Sequence, residues 1–412
     1  MNKKALILSH LGLGGISNIV KALRNASFDI YVVSSSPYLE REIITNAWSA
    51  LDLDFTIVET KVLNLEHIFG VFGQDKLKGF DLCLSVWEGQ RALMAEVNSF
   101  IGASDVDPTH ILRAQDKYAM RKVLYEAKLS RIPSFLIADA ALAQQQFPHS
   151  KFVIKPLRSA GGLQTRVVDT LEDVIASKSD SLIAEDDELF AEYYANNRLY
   201  IEPFIEGEEF SFEVIMHDYV LVFGCEHEKV GMVFEENTIL ETGLASPATS
   251  IDEARVAQGL NLCKKILTKL ELGFGCYHVE FKCHKGEWEL IEVNPRVGGS
   301  LIYDSVKLQY DYCLLQRWAE SLCGHPPAAA QDRLVGAYFQ IGYAQANQTI
   351  QNIQVDKNFP EPVLCQKLLA IGDRADAGSR EIFAAQSLWK THLASHSTEV
   401  ARLNKACYLR YS

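Results

Sequence analysis

The chain has 412 residues, 48% hydrophobic and 23% charged, with 40 Lys plus Arg against 53 Asp plus Glu for a formal net charge of −13. At roughly 150 residues per domain this length predicts two or three packed units, and the composition excludes intrinsic disorder. An acidic chain with no Lys/Arg run argues against general nucleic-acid binding, and no apolar run reaches the ~18 residues of a membrane-spanning helix.

Met1 to His10 begins like a signal peptide, but its apolar stretch stops at Leu8 and runs into Ser9, His10 and a Gly-rich turn, so it reads as a first strand. Buried strands are predicted over Ala5 to Ser9, which is this first one, Asp29 to Ser34, Phe55 to Glu59 and Leu82 to Val86, alternating with amphipathic stretches such as Ser17 to Asn25. That alternation implies βαβ units and a small parallel sheet. The turn Gly12-Leu-Gly-Gly15 lacks the full Gly-x-Gly-x-x-Gly spacing and reads as a tight βα turn. A boundary is expected near Asp105 to Thr109, followed by a helix carrying Asp116, Lys117, Arg121 and Lys122. Strands over Phe135 to Asp139, Lys151 to Pro156 and Thr165 to Asp169, with a helix over Leu171 to Ala176, then form an α+β unit. Ser177 to Glu188 is polar and acidic, as a solvated connection should be. The nine scattered cysteines contain no Cys-x-x-Cys pair and suit free thiols in a reducing cytoplasm.

The segment Cys276 to Asn294 alternates, turns and resumes, which predicts a β-hairpin. A three-residue loop over Lys285, Gly286 and Glu287 would set Glu280 opposite Glu292 and His278 opposite Asn294, all on one face. Two opposed carboxylates repel by up to about 1 kcal/mol and call for a cation or a shared proton. Hard oxygens beside an amide oxygen suit Mg²⁺. In Asn294-Pro-Arg-Val-Gly-Gly-Ser300 the proline ends the ladder, Arg296 can grip a carboxylate or phosphate, and Gly298 and Gly299 allow close backbone approach. Lys155 ends an apolar strand before the small-residue loop Ser159-Ala-Gly-Gly162, where a point charge and loop amides would meet a phosphate. Tyr200 to Val214 is a bent connection suited to a flat aromatic pocket, with a carboxylate for ribose hydroxyls. The competing readings are an exposed acidic hairpin, a solvated helix face for Lys117, and a zinc site at Cys276, His278, Cys283 and His284. Strand alternation puts Cys283 on the other face and disfavours zinc.

Taken in order, Asp116-Lys-Tyr-Ala-Met-Arg121, Phe152-Val-Ile-Lys-Pro156, Ser159-Ala-Gly-Gly162, Glu202-Pro-Phe-Ile-Glu-Gly-Glu-Glu209 and His278-Val-Glu280 through Glu292-Val-Asn-Pro-Arg296 resemble the ATP-grasp superfamily, over Leu82 to Leu301. The resemblance is closest to its carboxylate-amine ligase branch, which includes L-amino acid (dipeptide) ligases and dapdiamide-type amide ligases. It implies a mixed α/β and α+β ATP-grasp fold: an N-terminal parallel-sheet domain (1–110), a central ATP-binding subdomain (111–200), a C-terminal substrate and metal subdomain (201–330) and a C-terminal lobe (331–412). It makes Lys117 and Lys155 the ATP phosphate ligands, Ser159, Gly161 and Gly162 the phosphate loop, Glu202, Phe204 and Ile205 the adenine hinge, and Glu209 the ribose ligand. Glu280, Glu292 and Asn294 would hold Mg²⁺, while Arg296 and Lys155 would serve the reacting groups. His227, Lys229, Glu241, Gly298 and Gly299, with Arg296, would line the substrate pocket. Leu163, where valine is common, departs mildly from the pattern. The implied activity is amide formation from ATP, a carboxylate and an amine, with a small-molecule kinase, a carboxylase or a non-catalytic ATP-binding regulator as alternatives. A homodimer is common in the family, and Tyr303 to Cys323 offers an apolar surface for a partner.

Overall fold

Ala5, Leu6, Ile7 and Leu8 are almost wholly buried because their strand runs through the middle of a parallel sheet covered on both faces. In the computed structural model this sheet has the order β3-β2-β1-β4, from β1 (Lys3–His10), β2 (Phe28–Ser35), β3 (Asp54–Val58) and β4 (Leu82–Leu84). The structure describes residues 3–10, 16–35, 46, 49–158, 165–177, 198–234, 239–345, 347–353, 358–374, 383–405 and 409–411. The four strands and the helix Ile16–Asn25 match their sequence expectations to within two residues, whereas the turn at Gly12 to Gly15 lies outside the described residues.

The stretch Tyr303 to Cys323 does not offer its apolar face to a partner. Its helices, Ile302–Tyr310 and Leu314–Leu322, bury Val306, Leu315 and Trp318 in the same core as β1, β4 and the helix Ile16–Asn25. The apolar residues that suggested a docking surface are used within the chain to bind the N-terminal unit to the rest.

A second sheet, β5-β8-β6-β7, is antiparallel and small, built from β5 (Phe135–Leu136), β6 (Phe152–Pro156), β7 (Arg166–Val168) and β8 (Leu199–Pro203). The expected strand over Phe135 to Asp139 stops after Leu136, because Ile137–Asp139 winds into a 3₁₀ turn leading to the helix Ala140–Gln146.

The third sheet has eight strands in the order β13-β12-β9-β10-β11-β14-β17-β16. Its members are β9 (Glu208–His217), β10 (Val220–Phe234), β11 (Ile239–Ser246), β12 (Gly275–His284), β13 (Glu287–Asn294), β14 (Gly336–Tyr343), β16 (Leu364–Lys367) and β17 (Phe383–Thr391). The boundary expected near residue 331 precedes β14, which continues this sheet, while β15 (Ile350–Ile353) and β18 (Leu409–Tyr411) pair separately. Period-two alternation sorts β12 into two sets: Tyr277, Val279, Phe281 and Cys283 pack under the helix Glu253–Lys269, and His278, Glu280 and Lys282 face the small sheet. Phe210, Phe212 and Phe281 surround Trp288 at centroid distances of 5.1, 5.4 and 6.0 Å, each ring contributing roughly 2–3 kcal/mol by burial. That packed face holds the opposite face rigid. Eight cysteines are free thiols among the described residues, and no helix there is long and apolar enough to cross a membrane.

Candidate active site

The β12–β13 hairpin sets His278 opposite Asn294 and Glu280 opposite Glu292, as the sequence reading expects, but it arrives there differently. The turn has two residues, Lys285 at φ +48° and Gly286 at φ +83°, so His284 pairs with Glu287. Uncorrected, that register would put Glu280 opposite Ile291. A β-bulge at Ile291 shifts the pairing by one residue and restores the carboxylate pair.

These carboxylates look into a cavity of about 240 Å³ between the small sheet and the eight-stranded sheet. Its lining includes Lys117, Lys155, Lys229, Lys282 and Arg296, matched by Glu202, Glu209, Glu241, Glu280 and Glu292. Lys117 opens the helix Lys117–Glu126, whose N-cap is the Asp116 side chain, and its ammonium lies 3.2 Å from Glu292. Lys155 lies 2.6 Å from Glu202. Glu202 also faces Arg121 at 3.3 Å and accepts from the Tyr200 hydroxyl at 3.2 Å. Burial opposes the charge on Glu202, but Lys155 and then Arg121 outweigh it and hold its pKa below the ordinary carboxylate value. Arg121 is fully buried and reaches the other sheet as well, to Glu289 at 3.2 Å and the Ile291 carbonyl at 3.1 Å.

Lys229 is encircled by Glu209 at 2.5 Å, Glu241 at 2.5 Å and Glu280 at 2.8 Å. Burial alone would favour the neutral amine, yet the three carboxylates keep Lys229 protonated, with a pKa well above the usual lysine value. Those carboxylates lie close enough together to share a cation, and Lys229 Nζ is that cation here. The His278 ring is gripped on both sides, by Glu213 at Nδ1 and by Glu280 at Nε2, 3.0 Å away. Burial lowers its pKa, but Glu213 dominates and raises it to about 10, so the ring is an imidazolium at neutral pH. Glu213 also accepts from the Gly298 amide at 3.0 Å, which ties the loop after β13 to His278. A Cβ at Gly298 would come within 3.0 Å of Glu213 and 2.7 Å of Ile302, so this position requires glycine for close approach, whereas one at Gly299 would meet open space.

The other expected residues are distributed as follows. Asn294 donates to Glu292 at 2.8 Å, and Arg296 pairs with Glu88 of the N-terminal unit at 3.0 Å. Phe204 and Ile205 line the cavity, and the Phe204 amide is taken by the Lys151 carbonyl at 2.8 Å. Lys229, Glu241 and Gly299 are in the lining, but His227 lies beyond it, wholly buried, with Nε2 2.9 Å from the Ser305 hydroxyl. Ser159, Gly161 and Gly162 fall outside the described residues. Sequence reasoning assigned no role to Lys282 or Glu213, and placed His278 on the face of Glu280 with a part only in the rival zinc reading. Lys282, whose ammonium sits 4.5 Å over the Phe204 ring, shares the face of Glu280 by strand period alone and was legible on that ground. The rival zinc set is divided between faces, as strand alternation expects: Cys283 lies in the core under the helix Glu253–Lys269, away from His278.

Comparison with known proteins bears on the fold that carries these residues. Residues 114–300 match the family model of the ATP-grasp domain. The uncharacterized protein y4rH of Sinorhizobium fredii is 24% identical over 319 residues, covering 76% of this chain and 62% of its own length; the match thus leaves over a third of that relative unspanned. Among solved structures, the L-amino acid ligase of Bacillus licheniformis is similar at a TM-score of 0.72 and 16% identity, covering 100% of this chain and 99% of its own. The phosphoribosylglycinamide synthetase of Anaerococcus prevotii gives 0.71 at 14% identity, with 100% of both chains covered. The biotin carboxylase domain dimer of the 2-oxoglutarate carboxylase of Hydrogenobacter thermophilus, solved with MgADP, ADP and bicarbonate, gives 0.71 at 14%, covering 100% of this chain and 92% of its own.

Proposed function

This chain has the ATP-grasp fold, with an ATP-grasp domain over residues 114–300, and from that premise we propose that it is an ATP-dependent ligase joining a carboxylate to an amine, with release of ADP and phosphate. The observation that carries the reading is the convergence on one cavity of Lys117 and Lys155 with the opposed pair Glu280 and Glu292.

The residues fit ATP and Mg²⁺. Glu280, Glu292 and the adjacent Asn294 offer hard oxygen donors on one strand face. Each carboxylate is balanced by an ammonium, Glu292 by Lys117 and Glu280 by Lys229, and the lining as a whole sets five Lys or Arg against five Glu. A triphosphate carrying divalent cations adds little net charge to such a cavity. Mg²⁺, when bound there, would draw charge from the phosphate oxygens. Lys117 and Lys155 would neutralise charge as it develops on the transferred phosphoryl group. Val153, Phe204, Ile205 and Ile291 supply an apolar slot for the base, and Glu209 would accept from ribose hydroxyls. Glu202 and the Tyr200 ring hold Lys155 in place.

In the reaction a carboxylate oxygen attacks the γ-phosphorus, the bond to the β,γ-bridging oxygen breaks and ADP leaves. The amine nitrogen then attacks the acyl carbon, gives up a proton and expels phosphate. Arg296 would orient the carboxylate or the acyl phosphate. A reducing cytoplasm is the compartment that the free thiols favour.

The test is ADP and phosphate release with Mg²⁺-ATP across single and paired amino acids and small dicarboxylic acids, with mass detection and Glu292→Ala as control. A product equal to two substrates minus water, lost in the variant, is the expected result. A phosphorylated single substrate would make the protein a kinase, and bicarbonate-dependent turnover would make it a carboxylase.

A further inference from the structure

Register places four residues in one row across the eight-stranded sheet: Glu292 of β13 opposite Glu280 of β12, Glu280 opposite Ser211 of β9, and Ser211 opposite His227 of β10. Opposed residues share a face, so the row of carboxylates continues inward to a serine and a histidine, both wholly buried. Neither the Ser211 hydroxyl nor His227 Nδ1 has a hydrogen-bond partner among the described residues. A buried polar atom without a partner is costly, and two of them on directly opposed residues mark a place made for a third group. By strand geometry their Cβ atoms start about 4.5–5.5 Å apart, a gap that a water spans. Ser211 leaves room there as the shortest side chain in its surroundings, flanked by Glu280 and His227 across the sheet and by Glu209 and Glu213 along its own strand. Glu280 itself lines the cavity, so this recess adjoins the site. The bonds around His227 assign its proton. Gln309 Nε2 donates to the Ser305 hydroxyl at 3.0 Å and Gln309 Oε1 accepts from Ser246 at 2.9 Å, so the Ser305 proton goes to His227 Nε2, 2.9 Å away. Burial keeps the ring neutral at pH 7, and its one proton is then on Nδ1, the atom without a partner.

We propose that this recess binds a water molecule, which accepts from His227 Nδ1–H and the Ser211 hydroxyl and donates to the Glu280 carboxylate, and that Ser211 and His227 thereby position Glu280 for Mg²⁺. The positioning role rests on the function proposed above; the water itself does not. A buried water typically makes about three hydrogen bonds, which these partners supply. Glu280 already holds Lys229 at 2.8 Å through one oxygen and His278 at 3.0 Å through the other. A divalent cation arriving at Glu280 competes with the Lys229 ammonium, and the water, like His278, keeps the carboxylate in place during that exchange. Ser305 belongs to the helix Ile302–Tyr310, whose Val306 is packed in the core of the N-terminal unit, so the same chain of bonds ties that unit to the floor of the site.

A high-resolution crystal structure of the full-length chain should show a water within hydrogen-bond distance of Ser211 Oγ, His227 Nδ1 and Glu280, and the nitrogen-15 shifts of His227 should report a proton on Nδ1 at pH 7. In calorimetric titrations with ADP, Ser211→Val, which fills the recess, should raise the Mg²⁺ concentration for half-maximal ADP binding by roughly three-fold or more, with the affinity for ADP at saturating Mg²⁺ unchanged. Ser211→Ala, the second variant if Ser211→Val fails to fold, should act in the same direction. A recess without a water, or a water bonded to neither Ser211 nor His227, overturns the inference and leaves the ligase reading intact. A water in place, with the Mg²⁺ requirement unmoved in the folded variants, overturns the positioning role. Absence of Mg²⁺-dependent ADP binding by the unchanged chain overturns the proposed function, and the positioning role with it, while the crystallographic result is read independently of either.

Discussion

Glu280 and Glu292 sit directly opposite each other, and each is held by its own cation. Removing Glu292 takes away the carboxylate 3.2 Å from the buried Lys117 ammonium and deletes a donor for Mg²⁺. Glu292→Ala should therefore lower kcat/KM by at least 10²-fold, measured as Mg²⁺-dependent ADP release, while Lys155→Met should act mainly on transfer and on the KM for ATP. Glu213 touches no candidate ligand directly but fixes His278, which in turn orients Glu280. Glu213→Gln should raise the Mg²⁺ concentration for half-maximal activity by roughly 10–100-fold, and a change confined to thermal stability would contradict that role. His227 is a separate pH-dependent element: burial first, and nearby cations after it, lower its pKa to about 4. At this site the folded chain binds fewer protons than the unfolded one as pH falls below 6.5, so the contribution of His227 to stability drops between pH 6.5 and 4, by roughly 3 kcal/mol. In urea unfolding at pH 7 and pH 5, His227→Leu should show a smaller loss of midpoint between the two pH values than the unchanged chain.

At the level of elements, the connection from the expected hinge into β9 depends on Gly207. Its φ is +114°, and a Cβ there would lie 2.3 Å from the Cys283 carbonyl oxygen, a backbone atom that cannot move aside. Gly207→Ala should destabilise the chain by about 2 kcal/mol or more in denaturant unfolding and disturb the hairpin that carries Glu280. The strands around this point were legible in the sequence because each has a local signal: the apolar run of β1, the Lys-Pro end of β6, and the alternation of β12. The facing of Glu280 and Glu292 was legible for a less secure reason, since a turn taken as one residue longer gave the same pairing as a shorter turn plus a bulge. Glu213 had no such signal, because its meeting with His278 depends on β9 lying beside β12, a pairing across more than sixty residues. The helices after Ser300 were misread because an apolar surface does not say whether its partner is another chain or the same one.

At the scale of the whole molecule, the N-terminal unit reaches the site through the pair of Glu88 and Arg296 at 3.0 Å. Glu88→Gln should raise the KM for the carboxylate substrate more than it lowers kcat, with the thermal midpoint nearly unchanged, because the pair orients a loop and buries little apolar area. Arg121 has a broader reach. It is bonded to Glu202 of the small sheet and to Glu289 and the Ile291 carbonyl of β13, the outermost strand of the large one. Arg121→Met would remove one of the counter-charges of each of two buried carboxylates, of which Glu202 keeps Lys155 and Glu289 keeps Arg131, and should cost about 1–3 kcal/mol. That single guanidinium also gives the two walls of the cavity a spine. Parting the sheets along β13 would break both of its ion pairs at once, so that edge of the cavity resists opening, as the back of a book does.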